Sequence, residues 1–141
     1  MPEFFQGNLN RDNVIETNKQ ICHQSKEIYG LDYPEKLDEI IINIQNMDKI
    51  EDAKEQIIRK VSLLLTGLSY DQPFKNGNKR TSLSLTILLL RINHFDLPYD
   101  TKDKQHEIFK LLESMMYKFE DDIPEIVIEI EDFLRERIVQ I

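Results

Sequence analysis

Apolar residues recur mostly every three or four positions along this chain, which is the spacing of amphipathic helices. From Asn10 or Asp12, either a suitable N-cap, this spacing predicts a first helix that continues to Gly30, a residue able to close it. The apolar positions of that stripe are Val14, Ile21, Cys22, Ile28 and Tyr29. The segment Leu31 to Pro34 contains an X-Pro step and predicts a turn, after which a second amphipathic helix ends near Met47.

The next two predicted helices flank a short polar loop. A third helix is predicted from about Ile50 to Ser69, and its nearly apolar C-terminal half, Val61 to Leu68, should be buried. After the loop, apolar residues surround the following segment on almost every side, which is the pattern of a buried helix. These residues are Leu83, Leu85, Ile87, Leu88, Leu89, Leu90 and Ile92. We therefore expect this fourth helix to be the centre of the fold.

The C-terminal third is predicted to be helical as well. A loop spans Asn93 to Thr101, and the apolar spacing that follows predicts a fifth helix through Ile108, Leu111, Leu112, Met115 and Met116. The last segment fits two patterns. Ile126, Ile128 and Ile130 alternate as in a strand, whereas Pro124 near a start and the spacing of later apolar residues fit a helix, which we favour. The fold class is therefore all-α, a compact helical bundle.

Composition narrows the classes of partner. A chain of 141 residues with 40% hydrophobic content suits one domain, residues 1–141, with its own core. The formal net charge of −8 argues against nucleic acid, because the surface repels phosphate backbones. From Asp96 onward there are 13 acidic and 6 basic residues, which leaves the Lys79-Arg80 region comparatively basic. A local cationic site in an acidic protein indicates a small anion.

Cysteine and histidine usage indicates a cytoplasmic protein without a metal cluster. Cys22 is the single cysteine, which excludes a disulfide framework, and His23, His94 and His106 show no metal-ligand spacing. The N-terminus lacks a charged region followed by a long apolar stretch, and the run Leu85 to Leu90 is too short to cross a bilayer. We expect a soluble protein with no membrane partner.

The loop between the third and fourth predicted helices carries the candidate chemistry. Residues 70–81 have the sequence YDQPFKNGNKRT, in which Asn76 and Gly77 predict a turn and Asn78 predicts an N-cap. Backbone amides at a helix N-terminus beside two cations, Lys79 and Arg80, are a means of holding phosphate. From the pentapeptide alone, a plain connection between two helices is the alternative. The buried segments on both sides favour the phosphate site.

The string QPFKNGNKRTSL resembles the signature of Fic and Doc (death-on-curing) proteins, HPFxDGNKR or HxFxxGNGR. Six of the eight specified positions of the first pattern match, namely Pro73, Phe74, Gly77, Asn78, Lys79 and Arg80. The flanking segments LLTGLSYD and RTSLSLTILLLRINHFDL also look like helices of the Doc branch, so the resemblance covers about Ile57 to Asp96 directly. It implies the all-helical Fic fold and transfer of part of a nucleotide to a protein hydroxyl.

The resemblance also implies roles for the residues of the loop. Phe74 would anchor the loop, Gly77 would let the backbone approach an anion, Asn78 would hydrogen-bond a phosphate, and Arg80 would hold the polyphosphate. The implied nucleotide-binding set is Phe74, Lys75, Asn76, Gly77, Asn78, Lys79 and Arg80. Lys79 is typical of Doc-like proteins, in which the terminal phosphoryl of ATP is transferred, and favours phosphorylation over AMPylation. The implied co-substrate and metal are ATP and Mg²⁺, and the implied partner is a protein with a Ser, Thr or Tyr hydroxyl.

Two residues depart from the signature. Gln72 occupies the place of the catalytic histidine, and a carboxamide cannot act as a general base at neutral pH, which typically costs about 10²- to 10⁴-fold in rate. Asp71 is a candidate substitute base, although it is more readily a turn-forming residue. Asn76 stands where the family has an acidic Mg²⁺ ligand, so that metal binding should be weak. The sequence does not decide whether Gln72 is natural or introduced.

Three functions therefore remain open. The first is a toxin-like Doc-type transferase impaired at Gln72, and the second is a catalytically dead module that binds nucleotide or a partner. The third is a helical scaffold without a ligand. The Ser/Thr-x-x-x-Glu-Gly/Asn inhibitory string of many Fic proteins does not occur, so an inhibitor is expected as a separate antitoxin chain. By the resemblance, Gly30 to Lys36 is a candidate edge for docking the target.

Overall fold

The computed structural model describes residues 9–117 and 120–141, except for the Met116 side chain. Within them lie α1 (Arg11–Gln24), α2 (Pro34–Gln45), α3 (Ala53–Asp71), α4 (Asn78–Ile92), α5 (Lys102–Ser114) and α6 (Ile123–Arg137). Short 3₁₀ turns occupy Asn46–Lys49, Met115–Tyr117 and Glu120–Asp122. Two strands of two residues, β1 (Phe95–Asp96) and β2 (Val139–Gln140), pair antiparallel. The expected all-α class is confirmed.

The centre of the bundle is formed by α3 and α4 together. Helix α3 packs against α2, α4, α5 and α6, while α4 also packs against α1 and β1. Both helices bury apolar side chains completely, among them Leu64, Leu68, Leu85 and Leu90. The helix after the loop is thus central, as predicted, and it shares that place with the helix before the loop. Two core elements therefore hold the loop at both ends.

Helix α1 ends earlier than the sequence predicts. The predicted continuation to Gly30 is wrong, because Lys26 adopts a left-handed conformation (φ 56°) just after the helix. The N–H of Glu27 then donates to the carbonyl of Cys22 (2.8 Å), which closes the last turn as a Schellman motif does. Ile28 belongs to the predicted apolar stripe but is 69% exposed. The early end turns the chain after α1 toward the start of α4.

The C-terminal segment is helical, as favoured. In α6 the side chains of Ile126, Ile130 and Leu134 are buried, whereas Ile128 is exposed, which is helical and not strand-like periodicity. In α5 and the turn after it, Ile108, Leu112 and Met115 are buried as predicted. The side chain of Met116, predicted on the same face, lies outside the described residues. None of the described helices is long and apolar enough to cross a membrane.

Candidate functional site

Two left-handed residues shape the loop between α3 and α4. Gln72 ends α3 with φ 47°, and Gly77 precedes α4 with φ 77°. Asn78, predicted as the N-cap, is instead the first residue of α4, and Gly77 is the N-cap. None of the described side chains caps this helix, so the amides of its first turn remain available to a ligand. The positive φ favours glycine at this position, and a Cβ on Gly77 would also be tightly packed, 3.2 Å from Nδ2 of Asn18.

Phe74 anchors the loop in the core, as predicted. Its side chain is 2% exposed and its ring lies 6.2 Å from that of Tyr29, centroid to centroid. The side chain of Asn78 closes the loop on the same residue, because its Nδ2 donates to the Phe74 carbonyl (2.8 Å) and its Oδ1 accepts from the Phe74 N–H (3.1 Å). The amide of Asn78 is therefore engaged in holding the loop. Its predicted bond to a phosphate stays a prediction.

A second clamp comes from α1. The buried Asn18 donates from Nδ2 to the Asn76 carbonyl (2.8 Å) and to Oγ1 of Thr81 (3.1 Å). Sγ of Cys22 lies 3.8 Å from the same carbonyl, and burial raises the pKa of this thiol. Asn18 was not among the predicted site residues. Asn18 lies four residues after Val14 and four before Cys22, so it falls on the apolar stripe of α1. A polar residue on that stripe was the signal in the sequence from which its role could have been predicted.

A third clamp is the segment between α1 and α2. The N–H groups of Asp32 and Tyr33 donate to the Pro73 carbonyl (2.9 and 3.0 Å), and the N–H of Lys75 donates to the Gly30 carbonyl (2.8 Å). These bonds hold the segment beside the loop as a short antiparallel pair. The predicted docking edge, Gly30 to Lys36, thus adjoins the motif. Its role in docking a target stays a prediction.

An open cavity of about 250 Å³ lies over the loop. It is lined by Ser69, Gln72, Lys75, Asn76, Gly77, Asn78, Lys79 and Arg80. The fold therefore brings together every predicted site residue except Phe74, which lies buried in the core. Within the described part of the chain, the lining contains three cations and the first-turn residues of α4, and it contains no carboxylate. Such a site can hold a multiply charged anion, because fixed cations and helix amides both face negative charge.

Arg80 has partners that the sequence did not predict. Its Nη2 is paired with Oε1 of Glu27, and its Nη1 donates to Oγ of Ser25. The side chains of Arg80 and Glu27 are 39% and 35% exposed, so the pair lies at the rim of the cavity, open to solvent. An anion that binds Arg80 must compete with Glu27. No spacing signal marks Ser25 or Glu27, since both fall where α1 was predicted to continue.

Gln72 and Asp71 belong to different surfaces. Gln72 lines the cavity, as predicted for the motif position. Asp71 lines a second cavity, beside Lys36 and Glu39, and burial raises the pKa of its carboxyl. This geometry does not support Asp71 as the substitute base. Ser69, which was not predicted, also lines the motif cavity, and its buried Oγ has no hydrogen-bond partner among the described residues.

The cavity does not fit a firmly bound divalent cation. Among the described residues, no group of three or more His, Cys, Asp or Glu side chains could hold a metal ion. Asn76, the predicted weak Mg²⁺ position, donates its Nδ2 to the Ile28 carbonyl (2.9 Å), which leaves only its amide oxygen for a metal. Hard cations such as Mg²⁺ prefer carboxylates, and residues 9–117 and 120–141 contribute none to the lining of this cavity.

Comparison with known proteins agrees with this geometry. No curated protein matches the chain. The model of the Fic/DOC family matches residues 3–90, a range that includes α1 to α3, the motif loop and nearly all of α4. These are the elements that form and clamp the cavity. The chain therefore belongs to the Fic/DOC family.

Proposed function

We propose that the motif cavity binds the polyphosphate of a nucleotide such as ATP. We propose further that the chain is a Doc-like, toxin-type protein that modifies a hydroxyl of a target protein slowly or not at all. One observation carries the proposal: Lys75, Lys79 and Arg80 meet the N-terminus of α4 around one cavity, and none of the described residues that line it is a carboxylate. In a chain of net charge −8, this concentration of positive charge is matched to an anion.

In the proposed transfer, a Ser, Thr or Tyr oxygen of the target forms a bond to phosphorus, and the bond from phosphorus to the leaving phosphate oxygen breaks. Lys79 and Arg80 would offset the negative charge on the phosphates. The hydroxyl proton needs an acceptor, and Gln72 provides none. Gln72 can orient the hydroxyl by a hydrogen bond, and the proton would pass to solvent. Lys79, by resemblance to Doc, favours transfer of the terminal phosphoryl over adenylyl transfer.

The second candidate is a module that binds nucleotide or a partner protein without catalysis. Gln72 is the observation that favours it, because the clamps that shape the cavity are intact while the base is missing. Where this module binds a nucleotide, it uses the same cavity as the first candidate and differs from it in transferring no group.

A binding experiment tests the shared part of the proposal. Isothermal titration of the protein with ATP and with adenosine should give binding that depends on the phosphates. Arg80→Ala should weaken ATP binding about 10- to 100-fold, the loss of a charged hydrogen bond of about 1.5–3 kcal/mol. Arg59→Ala, which removes an exposed arginine remote from the motif on α3, is the matched control and should leave the affinity unchanged. Absence of ATP binding in the unmodified protein would refute the nucleotide proposal and leave only a module that binds a partner protein or a helical scaffold.

A transfer experiment separates the two candidates. Gln72→His and the unmodified protein are incubated with a cell extract and ATP labelled at either the γ or the α phosphate. If the chain is an impaired enzyme, Gln72→His should raise labelling about 10²- to 10⁴-fold, and the label position distinguishes phosphoryl from adenylyl transfer. If Gln72→His labels no protein but still binds ATP, the chain is a binding module. Gln72→Ala, which also lacks a base, is the control.

The toxin-type role has its own readout. Expression of Gln72→His inside cells should arrest growth, whereas expression of Gln72→Ala should not, if the cytoplasm holds the target. A separate inhibitory chain would relieve that arrest when it is produced together with Gln72→His. Normal growth with the labelling-competent variant would remove the toxin role and leave the transfer reaction itself in place.

A further inference from the structure

The charges that line the motif cavity bear on the ionic form in which a polyphosphate binds there. Nucleotide phosphates carry several negative charges, and proteins commonly offset part of that charge with Mg²⁺ held by carboxylates. The described lining of this cavity is different, because it offers Lys75, Lys79 and Arg80 and none of the carboxylates that a divalent cation prefers. Fixed cations therefore stand where a metal site has anions.

The motif position that the family uses for a metal is engaged within the chain. The side chain of Asn76 donates from Nδ2 to the Ile28 carbonyl (2.9 Å), and the backbone carbonyl of Asn76 accepts from Nδ2 of Asn18 (2.8 Å). The carboxylate at the rim, that of Glu27, is paired with Arg80. Within the described lining, only neutral oxygens therefore remain for a divalent cation, and such a set holds Mg²⁺ weakly.

Lys75 is placed to supply positive charge instead. Its N–H donates to the Gly30 carbonyl (2.8 Å), and a Cβ on Gly30 would lie 3.3 Å from Cβ and 3.6 Å from Cδ of Lys75. The missing side chain of Gly30 thus leaves room for the stem of the lysine, which lines the cavity. Neither Lys75 nor Lys79 forms an ion pair within 4.0 Å with any described residue. Both ammonium groups are therefore open to a ligand.

We propose that the motif cavity selects a polyphosphate free of a divalent cation, with Lys75 and Lys79 supplying the positive charge that a bound metal would otherwise supply. This inference rests on the proposed nucleotide binding and adds to it the ionic form of the ligand. Mg²⁺ on the phosphates cancels two negative charges and occupies oxygens that the two lysines and the amides of α4 would contact. The described lining offers that Mg²⁺ no carboxylate in return. ATP should therefore bind more tightly without Mg²⁺ than with it.

The test is isothermal titration of the full chain with ATP in two buffers of equal ionic strength, one with EDTA and one with excess MgCl₂. The Kd should be about two- to tenfold lower in EDTA, the change expected when one or two partly exposed charge interactions are kept. An equal or lower Kd with Mg²⁺ overturns this inference and leaves the nucleotide proposal in place. Absence of binding in both buffers removes the nucleotide proposal, and this inference with it.

Removal of one ammonium group tests the part played by Lys75. Lys75→Gln keeps most of the stem and loses the charge, so it should raise the Kd in EDTA about two- to fivefold and narrow the difference between the two buffers. Lys49→Gln removes an exposed lysine that does not line the motif cavity and is the charge-matched control. An unchanged Kd in Lys75→Gln, or an equal change in both variants, overturns the role of Lys75.

A carboxylate placed at the motif position tests the cause of the preference. In Asn76→Asp the side chain no longer donates to the Ile28 carbonyl, and the new carboxylate is available to ligate Mg²⁺. Mg²⁺ should then tighten ATP binding in this variant. Asn46→Asp adds the same charge at an exposed position that does not line the motif cavity, and it should keep the preference for metal-free ATP. If Asn76→Asp, shown to be folded by thermal denaturation, keeps that preference to the same degree, the inference is wrong.

Discussion

The pair between Glu27 and Arg80 gives the sharpest prediction for the motif cavity. Arg80 lines the cavity, yet its guanidinium is shared with Glu27 and Ser25 at the rim. If a nucleotide phosphate takes Arg80, the phosphate must displace the Glu27 carboxylate or accept its repulsion. Replacement of Glu27 by glutamine keeps the size of the side chain and removes the charge. The affinity for ATP should therefore rise in Glu27→Gln.

The size of this rise follows from the exposure of the pair. With side chains 35% and 39% exposed, the attraction between Glu27 and Arg80 is screened by solvent. Exposed or half-exposed pairs contribute about 0.2–1 kcal/mol, which corresponds to about a 1.5- to 5-fold change in Kd. Ser25→Ala removes a neutral hydrogen bond and should change Kd less than Glu27→Gln does. The gain should shrink as salt is added, because added ions screen the same interaction.

Isothermal titration with ATP at low and moderate salt measures the effect. Glu16→Gln is the control, because Glu16 is an exposed carboxylate of α1 that forms no ion pair among the described residues. It reports the effect of one fewer negative charge on the protein as a whole. An unchanged or weaker affinity in Glu27→Gln would refute the reasoning. An equal gain in Glu16→Gln would also refute it, since the pair itself would then have no special role.

Two further variants test how the loop and the bundle are held. Asn18→Ala removes the amide that donates to the Asn76 carbonyl and leaves it only the long, weak contact from Cys22 Sγ. This change should cost about 1–3 kcal/mol, seen as a fall of several degrees in Tm, while the exposed Gln20→Ala should not. Glu55→Gln removes a two-point ion pair to Arg135 (3.1 and 2.8 Å) and should cost up to about 1 kcal/mol near neutral pH. Because the pair lowers the pKa of Glu55, its contribution is present above the ordinary value of 4.5 and is lost as the pH falls. The difference in Tm between Glu55→Gln and the unmodified protein should therefore vanish in acid, and a constant difference would contradict the assignment.

The helices could be predicted because apolar residues recur with helical spacing over several turns of each. The end of α1 could not be predicted in this way. By apolar spacing alone, the stripe of α1 extends through Ile28. The structure ends the helix at Gln24 because Lys26 takes a left-handed conformation, which no residue type at that position signals. The pairing of β1 with β2 was likewise unpredictable. Strands of two residues carry no alternation, and their contact joins positions far apart in sequence.

The residues of the site likewise fall into those that the sequence predicted and those that it did not. The motif residues on the loop were identified because they are contiguous, and the fold places them around one cavity. Asn18, Ser25 and Glu27 were missed because they reach the loop from another helix or from the turn after it. Of these three, only Asn18 is marked by a sequence pattern, because it is a polar residue on an apolar stripe. Asn78 was predicted to hydrogen-bond a phosphate. The structure shows its side-chain amide bonded to the backbone of Phe74, so that it holds the loop in shape.

The number of clamps on the loop bears on which function the chain retains. A connector between two helices needs only its ends fixed, yet this loop is held by Asn18, by the Gly30 carbonyl and by the Asn78 amide. All of these bonds are made within the chain and hold the cavity in shape before any ligand arrives. The loop therefore loses little conformational entropy when a ligand binds. The missing base affects only proton transfer, which the clamps do not serve. If the cavity binds nucleotide as proposed, the absence of a base at Gln72 should not weaken that binding. The unmodified protein should then gain thermal stability with ATP, by about 2.7 kcal/mol when ATP is at one hundred times its Kd.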